Sequence, residues 1–301
     1  MKITPLNQWL PFNDYLVIAG PCSAETEAQV LSTAHSVKEI GKVKVFRAGI
    51  WKPRTRPNTF EGIGVQGLKW LERVKKETGL LTCTEVANPE HIKACLDHGV
   101  DILWIGARTT VNPFLIQNIA DYLEGKDIPV MVKNPINADI SLWVGAIERF
   151  LNKGITKLVG IHRGFSTARP SPYRNEPFWK IPIEIRQKVP GLPLICDPSH
   201  IAGSREKIFE VSQKAFDIAM EGLMIETHPD PDKALSDRKQ QVTPNQLEEI
   251  LKSLQHRKEF CSDELFDDKL SSLRSKIDAL DKELLDILKV RMNIVHDIGQ
   301  E

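Results

Sequence analysis

Lys157-Leu158-Val159-Gly160-Ile161-His162-Arg163 is a short apolar run that passes directly into two residues able to do chemistry. Seven other stretches repeat the device: Leu16-Val17-Ile18-Ala19, Val43-Lys44-Val45-Phe46, Leu80-Leu81-Thr82-Cys83, Ile102-Leu103-Trp104-Ile105, Pro129-Val130-Met131-Val132, Leu192-Pro193-Leu194-Ile195 and Leu223-Met224-Ile225. In chain order the eight runs hand over to Cys22, Arg47, Glu85, Arg108, Lys133, His162-Arg163, His200 and Glu226. Nearly continuous apolar runs, rather than alternating ones, describe strands covered on both faces. Between them lie segments of helical periodicity, at 25–40, 64–78, 89–98, 112–124, 140–152 and 204–220. Asn88-Pro89 and Asn112-Pro113 set a capping side chain before a proline at the first helical position. Strand, helix, strand at this spacing requires parallel pairing and right-handed crossovers. Eight such units favour a closed (β/α)8 TIM barrel of the α/β class over an open doubly wound sheet. In that barrel the strand ends and the loops after them form one mouth, where active sites lie.

The length, 301 residues, exceeds the roughly 250 typical of one barrel and leaves a tail to explain. Lys plus Arg and Asp plus Glu both number 40, so no overall field draws the chain to nucleic acid or to an anionic membrane. Met1-Lys2-Ile3-Thr4-Pro5 lacks the apolar core of a signal peptide, and no apolar run approaches the roughly 20 residues that span a bilayer. These features predict a cytoplasmic protein without nucleic-acid or membrane partners. Cys22, Cys83, Cys95, Cys196 and Cys261 are an odd, scattered set, which predicts reduced thiols rather than disulfides.

If strand eight closes against strand one, His200, Glu226 and Cys22 follow three consecutive strands and converge. Asp237 lies in the loop after strand eight. Thiolate, imidazole and two carboxylates suit a divalent transition ion such as Mn, Fe, Co or Zn. Singly, each residue has an ordinary explanation as a buried cysteine, a packing histidine or a surface acid; it is their convergence that favours a metal. Arg47, Lys52, Arg54, Arg108, Lys133 and Arg163 fall at or just beyond strand ends and would ring the same mouth. Six cations in a neutral chain require anions, and mixed Arg and Lys suits small phosphorylated acids.

Seven motifs, in order, carry a family resemblance: Ala19-Gly20-Pro21-Cys22-Ser23, Lys52-Pro53-Arg54-Thr55, Gly106-Ala107-Arg108-Thr109-Thr110, Val132-Lys133-Asn134, His162-Arg163-Gly164, Asp197-Pro198-Ser199-His200 and Glu226-Thr227-His228. The series resembles 3-deoxy-D-arabino-heptulosonate-7-phosphate (DAHP) synthase over about residues 15 to 245. The sister family, 3-deoxy-D-manno-octulosonate-8-phosphate synthase, resembles Lys-x-Asn-Arg-Ser where this chain has Lys52-Pro53-Arg54-Thr55, and that tetrapeptide favours the first. The short N-terminus looks like the compact, beta-branch type I enzymes. The resemblance implies metal-dependent condensation of phosphoenolpyruvate with erythrose 4-phosphate, the first step of the shikimate pathway. It implies metal ligands Cys22, His200, Glu226 and Asp237. Arg47, Lys52, Arg108, Lys133 and Arg163 would bind phosphoenolpyruvate, and Arg54 with Thr55 the aldose phosphate. Lys52 is the candidate general acid, with a pKa lowered by neighbouring cations; Cys22 and His200 complete the catalytic set. The loop 164–175 is longer and more proline-rich than expected for the commonest compact enzymes, and Tyr173-Arg174-Asn175 reads either as part of a lid or as plain surface.

From Leu270 onward, Leu273, Ile277, Leu280, Leu284, Ile287, Ile294 and Ile298 repeat at steps of three and four, interrupted where Arg291 takes the apolar slot. This predicts a long amphipathic helix with a seam for partner helices. Leu273-Arg274, Ile277-Asp278, Asp281, Leu284-Leu285, Arg291 and Gly299 resemble the first helix of all-helical chorismate mutases, in which Arg274 and Arg291 would bind substrate carboxylates. The expected organisation is a barrel over 1–262, then a linker and the first helix of an incomplete mutase-like domain over 263–301, without mutase activity. Packing of the helix on the barrel, and pairing with another copy as a dimerisation helix that makes the chain a homo-oligomer, are the other readings. A catalytically silent sugar-phosphate-binding barrel that regulates a mutase is the alternative from outside enzymology. The intact set Cys22, Lys52, Arg108, His200, Glu226 and Asp237 argues against it, because a silent relative would be free to lose ligands.

Overall fold

The computed structural model describes residues 2–53, 59–256 and 264–300. Strands β1 (Leu16–Gly20), β2 (Val45–Arg47), β3 (Leu81–Val86), β4 (Ile102–Ile105), β5 (Val130–Lys133), β6 (Leu158–His162), β7 (Leu194–Cys196) and β8 (Gly222–Glu226) pair in sequence order as a closed parallel barrel. β1 and β8 close the ring, in register from Leu16 opposite Gly222 to Gly20 opposite Glu226. The expected TIM barrel is the observed fold.

Helices α1 (Glu27–Glu39), α2 (Gln66–Thr78), α3 (Pro89–Asp97), α4 (Ala107–Thr110), α5 (Pro113–Leu123), α6 (Ile140–Asn152), α7 (Lys180–Lys188), α8 (Pro198–Ala202), α9 (Ile208–Asp217) and α10 (Pro244–Ser253) accompany the strands. Side chains start many of them: the Asn88 carbonyl oxygen accepts from the His91 N–H, Asn112 from Phe114 and Leu115, and Asp139 from Ser141 and Leu142. Each satisfies amides that the first helical turn leaves without an internal partner. Three short pieces depart from the expected pattern. The single helix expected over 204–220 is a 3-10 turn, Arg205–Lys207, followed by α9. Two other helices, α4 and α8, occupy the mouth itself, immediately after β4 and β7.

Alternation along each strand divides the core into two layers. Leu16, Ile18, Val45, Cys83, Ile102, Trp104, Met131, Val159, Ile161, Ile195 and Met224 fill the barrel interior, joined by Leu6 and Leu10 from the segment that plugs the end where the strands begin. Val17, Ala19, Phe46, Leu103, Val130, Val132, Leu158, Leu194, Leu223 and Ile225 face the helices instead. Period two then decides where the chemistry goes. Arg47, Glu85, Lys133, Arg163, Asp197 and Glu226 each stand two residues beyond an interior residue (Val45, Cys83, Met131, Ile161, Ile195 and Met224), so they form the next inward layer, at the mouth. His162 has the opposite parity: it is fully buried among the rings of Phe165 and Trp179, 5.8 and 5.3 Å away. Of the pair His162-Arg163, only Arg163 serves the mouth.

The chain divides into two compact units, residues 1–256 and 257–301. The second is dominated by α11 (Glu264–Gln300), along which Leu273, Ile277, Leu280, Leu284, Ile287, Ile294 and Ile298 are all exposed. Among the described residues no helix is long and apolar enough to cross a membrane.

Candidate active site

A cavity of about 370 Å³ opens at the mouth, lined by Lys52, Arg108, Lys133, Arg163 and Arg174 on its cationic side and by Glu85, His200 and Asp237 among others. Its size suits a small organic substrate. At its inner end the donor atoms of Cys22, Glu226 and Asp237 lie within 4.8 Å of one another. His200 Nε2 stands 3.8 Å from Glu226 Oε1 and 4.0 Å from Asp237 Oδ2. Three of the four residues singled out as metal ligands are therefore gathered in one cluster, and His200 adjoins it through the two carboxylates. The four come from the end of β8, the loops after β1 and β8, and the helix α8.

The histidine is oriented for this task. Its Nδ1 lies 3.0 Å from Asp197 Oδ1, and its backbone N–H donates to the same oxygen at 3.1 Å. A carboxylate at Nδ1 fixes the proton there and leaves the Nε2 lone pair facing the acids, the arrangement of metal-binding histidines. Asp197 is fully buried and also accepts from Lys133 Nζ at 2.7 Å. Burial opposes its ionisation, but His200 and Lys133 outweigh burial and hold its pKa well below the usual carboxylate value. Asp197 opens the motif Asp197-Pro198-Ser199-His200, in which the sequence alone assigns it no role. Its position two residues after Ile195 was the available signal.

The donor chemistry fits a divalent cation. Glu226 Oε1 is buried and has no hydrogen-bond partner among the described residues, with Arg47 Nη2 at 3.4 Å as its ion-pair neighbour. Burial works against the charge of Glu226, yet His200 and Arg47 pull its pKa below the ordinary value. The thiol of Cys22 is pushed up to about 12, first by burial and then by Glu226. A soft sulfur, an imidazole nitrogen and two carboxylates, one with an oxygen left without a hydrogen bond, are donors of the kind that suit a divalent transition ion. Thiolate ligation there needs the field of a cation.

Lys52 Nζ donates to Cys22 Sγ and to the Cys22 carbonyl, both at 3.0 Å. Burial acts to lower its pKa, but Cys22, Glu226 and Glu85 more than offset this and the net direction is upward. The expectation of a pKa lowered by neighbouring cations is corrected: Arg47 does act that way, but the thiol and acidic neighbours outweigh it. Arg47, expected among the substrate ligands, does not line the cavity. It lies beneath, 1 % exposed, donating to the Cys22 carbonyl at 3.2 Å with its guanidinium 4.8 Å from the Trp104 ring centre. Burial holds Arg163 down at about 10, with Asp197 opposing and Arg174 and Arg108 reinforcing, so it remains a cation in a crowd of cations. Arg54 and Thr55 lie outside the described residues.

Hydrogen bonds across the mouth hold the loop after β8. The Cys22 N–H donates to Gln241 Oε1 at 3.0 Å, Gln241 Nε2 to the Ser236 carbonyl at 2.8 Å, and Gln240 Nε2 to Glu226 Oε2 at 2.7 Å. Ser23 and Ser236 share a hydroxyl contact. These glutamines were not legible as site residues, because nothing periodic marks them. The described cysteines, Cys22, Cys83, Cys95 and Cys196, are free and buried, as reduced thiols would be.

Fold and site together define a (β/α)8 enzyme whose mouth joins a metal-type donor cluster to a cationic cradle. A model of the DAHP synthetase I family matches residues 12–262, and the chain belongs to that family. It is 33% identical to a phospho-2-dehydro-3-deoxyheptonate aldolase of Thermotoga maritima over 240 residues, covering 80% of this chain and 69% of the relative. A crystal structure of the DAHP synthase from Thermotoga maritima superposes with a TM-score of 0.71 at 32% identity, covering 79% of this chain and 67% of the other. A 2-dehydro-3-deoxyphosphooctonate aldolase of Vesicomyosocius okutanii is 28% identical over 272 residues, 80% of this chain and 90% of its own length.

Proposed function

We propose that this chain is a metal-dependent DAHP synthase that condenses phosphoenolpyruvate with erythrose 4-phosphate, releasing inorganic phosphate. The observation that carries the reading is Lys52 bridging the two halves of the site: it touches the Cys22 sulfur at 3.0 Å and lines the cavity with Arg108, Lys133 and Arg163. The three cations suit the phosphate and carboxylate of phosphoenolpyruvate, with Arg47 adding positive field from below. An ion held by Cys22, His200, Glu226 and Asp237, whether Mn, Fe, Co or Zn, would supply Lewis acidity toward the aldehyde oxygen. Lys52 serves as general acid: as the phosphoenolpyruvate methylene carbon bonds to the aldehyde carbon, its proton passes to the oxygen that becomes a hydroxyl. Water then adds to the former enol carbon, loses a proton, and the bridging C–O bond breaks to release phosphate. The cationic wall keeps both anions in place throughout. Arg54 and Thr55 are assigned to the aldose phosphate by family resemblance.

The relatives that act on phosphooctonate favour a second reading, with arabinose 5-phosphate as the aldose. Lys52-Pro53-Arg54-Thr55 speaks for the shorter sugar. Following phosphoenolpyruvate loss by ultraviolet absorbance decides between them. Erythrose 4-phosphate is expected to support turnover, chelator to abolish it, and Mn, Fe, Co or Zn to restore it. Turnover with arabinose 5-phosphate alone would select the second reading, and none with either sugar after metal is restored would remove the enzyme reading.

The finer placement in the compact type I branch, a cytoplasmic location and a homo-oligomer belong to the same proposal. So does the assignment of α11 as the opening helix of a mutase-like domain, where Arg274 and Arg291 would meet carboxylates once later helices are supplied. No mutase activity is expected from this chain by itself.

A further inference from the structure

The segment between β6 and α7 is pinned at its far end. Phe165 and Glu176 exchange backbone hydrogen bonds at 2.8 Å, and the N–H groups of Arg174 and Asn175 donate to the carbonyls of Ala202 and Ile201 at 3.3 and 3.2 Å. Two glycines make the seat. Gly164 (φ +74°) and Gly203 (φ +70°) adopt the left-handed region, and a Cβ on either would collide, the first with the Asn175 backbone and the second with the Arg174 side chain. Residues 174 and 175 are therefore held as part of the wall of the mouth.

From this seat the two side chains reach opposite halves of the site. Arg174 Nη1 donates to Asp237 Oδ1 at 2.9 Å and to Gln240 Oε1 at 2.5 Å, and Gln240 in turn donates to Glu226 at 2.7 Å. Asp237 needs such a hold, because it sits at φ +50°, a conformation that non-glycine residues reach only at some cost. Asn175 is 6 % exposed; its Oδ1 accepts from Arg163 Nη1 at 2.9 Å and its Nδ2 donates to the His200 carbonyl at 2.6 Å. Adjacent residues thus connect three of the four metal-type donors to Arg163 of the anion cradle.

We propose that Arg174 and Asn175 are a positioning pair that couples the anion cradle to the donor cluster, so that an anion at Arg163 and a cation at Cys22, His200, Glu226 and Asp237 strengthen each other's binding. The inference rests on the metal-and-anion reading above. Physically, an anion that orders Arg163 also orders Asn175 and the backbone of His200, and a cation that orders Asp237 and Glu226 also orders Arg174. Coupling of this kind is reciprocal, each ligand raising the other's affinity by the same factor.

Cobalt(II) titration of the full chain, followed through the thiolate-to-cobalt absorption band, tests the pair without turnover. Arg174→Ala is expected to weaken cobalt binding by about 10- to 100-fold, as loss of outer partners does at metal sites, and Arg174→Lys to recover most of it. Saturating phosphoenolpyruvate should tighten cobalt binding by about fivefold or more in the unaltered protein. In Asn175→Ala, or in Asn175→Ser should the first not fold, that enhancement should vanish. Unchanged cobalt affinity in Arg174→Ala, or an unchanged enhancement in the folded Asn175 variant, overturns the proposal while leaving the functional reading intact. An unaltered protein that takes up no cobalt overturns both.

Discussion

Lys133 and Asp197 form an ion pair at 2.7 Å with both partners buried, and Asp197 is also the group that orients His200. One carboxylate thereby secures a cavity cation and a metal-type donor at once. Asp197→Ala leaves the Lys133 ammonium buried without its partner and is expected to destabilise the barrel by about 3–5 kcal/mol. Urea denaturation at neutral pH measures this; a loss below about 1 kcal/mol, the scale of an exposed pair, would show that water reaches Lys133.

Lys52 and Cys22 test the chemistry separately from the fold. Lys52→Met removes the proton donor and is expected to lower kcat by about 100- to 10,000-fold. Lys52→Arg restores positive charge but not a readily transferred proton, so phosphoenolpyruvate affinity should return while kcat stays low. If Lys52→Arg regains full turnover, Lys52 is an anion ligand and not an acid.

Acid should destabilise the protein through His162. Burial, then Arg163, drives its pKa from 6.5 down to about 3. Below pH 6.5 the unfolded chain takes up a proton that the folded chain refuses until about pH 3, so folding stability falls across that window as pH drops. The slope from this one group is at most about 1.4 kcal/mol per pH unit. Chemical denaturation at several pH values should show a shallower dependence in His162→Gln; identical slopes would mean that His162 is solvated.

The apolar face of α11 predicts association. Leu280 and Ile287 are 63% and 65% exposed, and paired Leu280→Glu and Ile287→Glu changes should remove any concentration-dependent self-association seen by sedimentation velocity. Association that survives the double change belongs to another surface.

How much of this could be read from the chain alone follows from which interactions are local. The barrel was legible because each apolar run is short, and because Arg47, Lys133 and Glu226 stand one inward step past Val45, Met131 and Met224. Strand limits were less so: Arg47, Lys133, His162 and Glu226 end their strands rather than follow them, and Glu85 lies inside β3, because barrel pairing extends the ladders into the polar residues. The bond between Gln240 and Glu226 and that between Arg174 and Asp237 were invisible, since the first depends on how the segment after β8 folds back on the end of its own strand and the second joins loops that meet only after the ring closes. His162 misled by adjacency: next to Arg163 in sequence, it faces the opposite layer.

The inward layering of the strands has an implication for how such a protein tolerates change. Replaced together as pairs, Arg47 with Glu226 and Lys133 with Asp197, these residues would often give way to well-packed leucine or methionine at no cost or with a gain in stability, whereas replacing one alone strands its partner's charge. Selection for heat resistance alone would therefore erode the uppermost tier and leave an inert, sturdier cylinder. Selection for turnover keeps that tier ionic, and compensating gains in stability have to come from the tiers below it or from the helical shell.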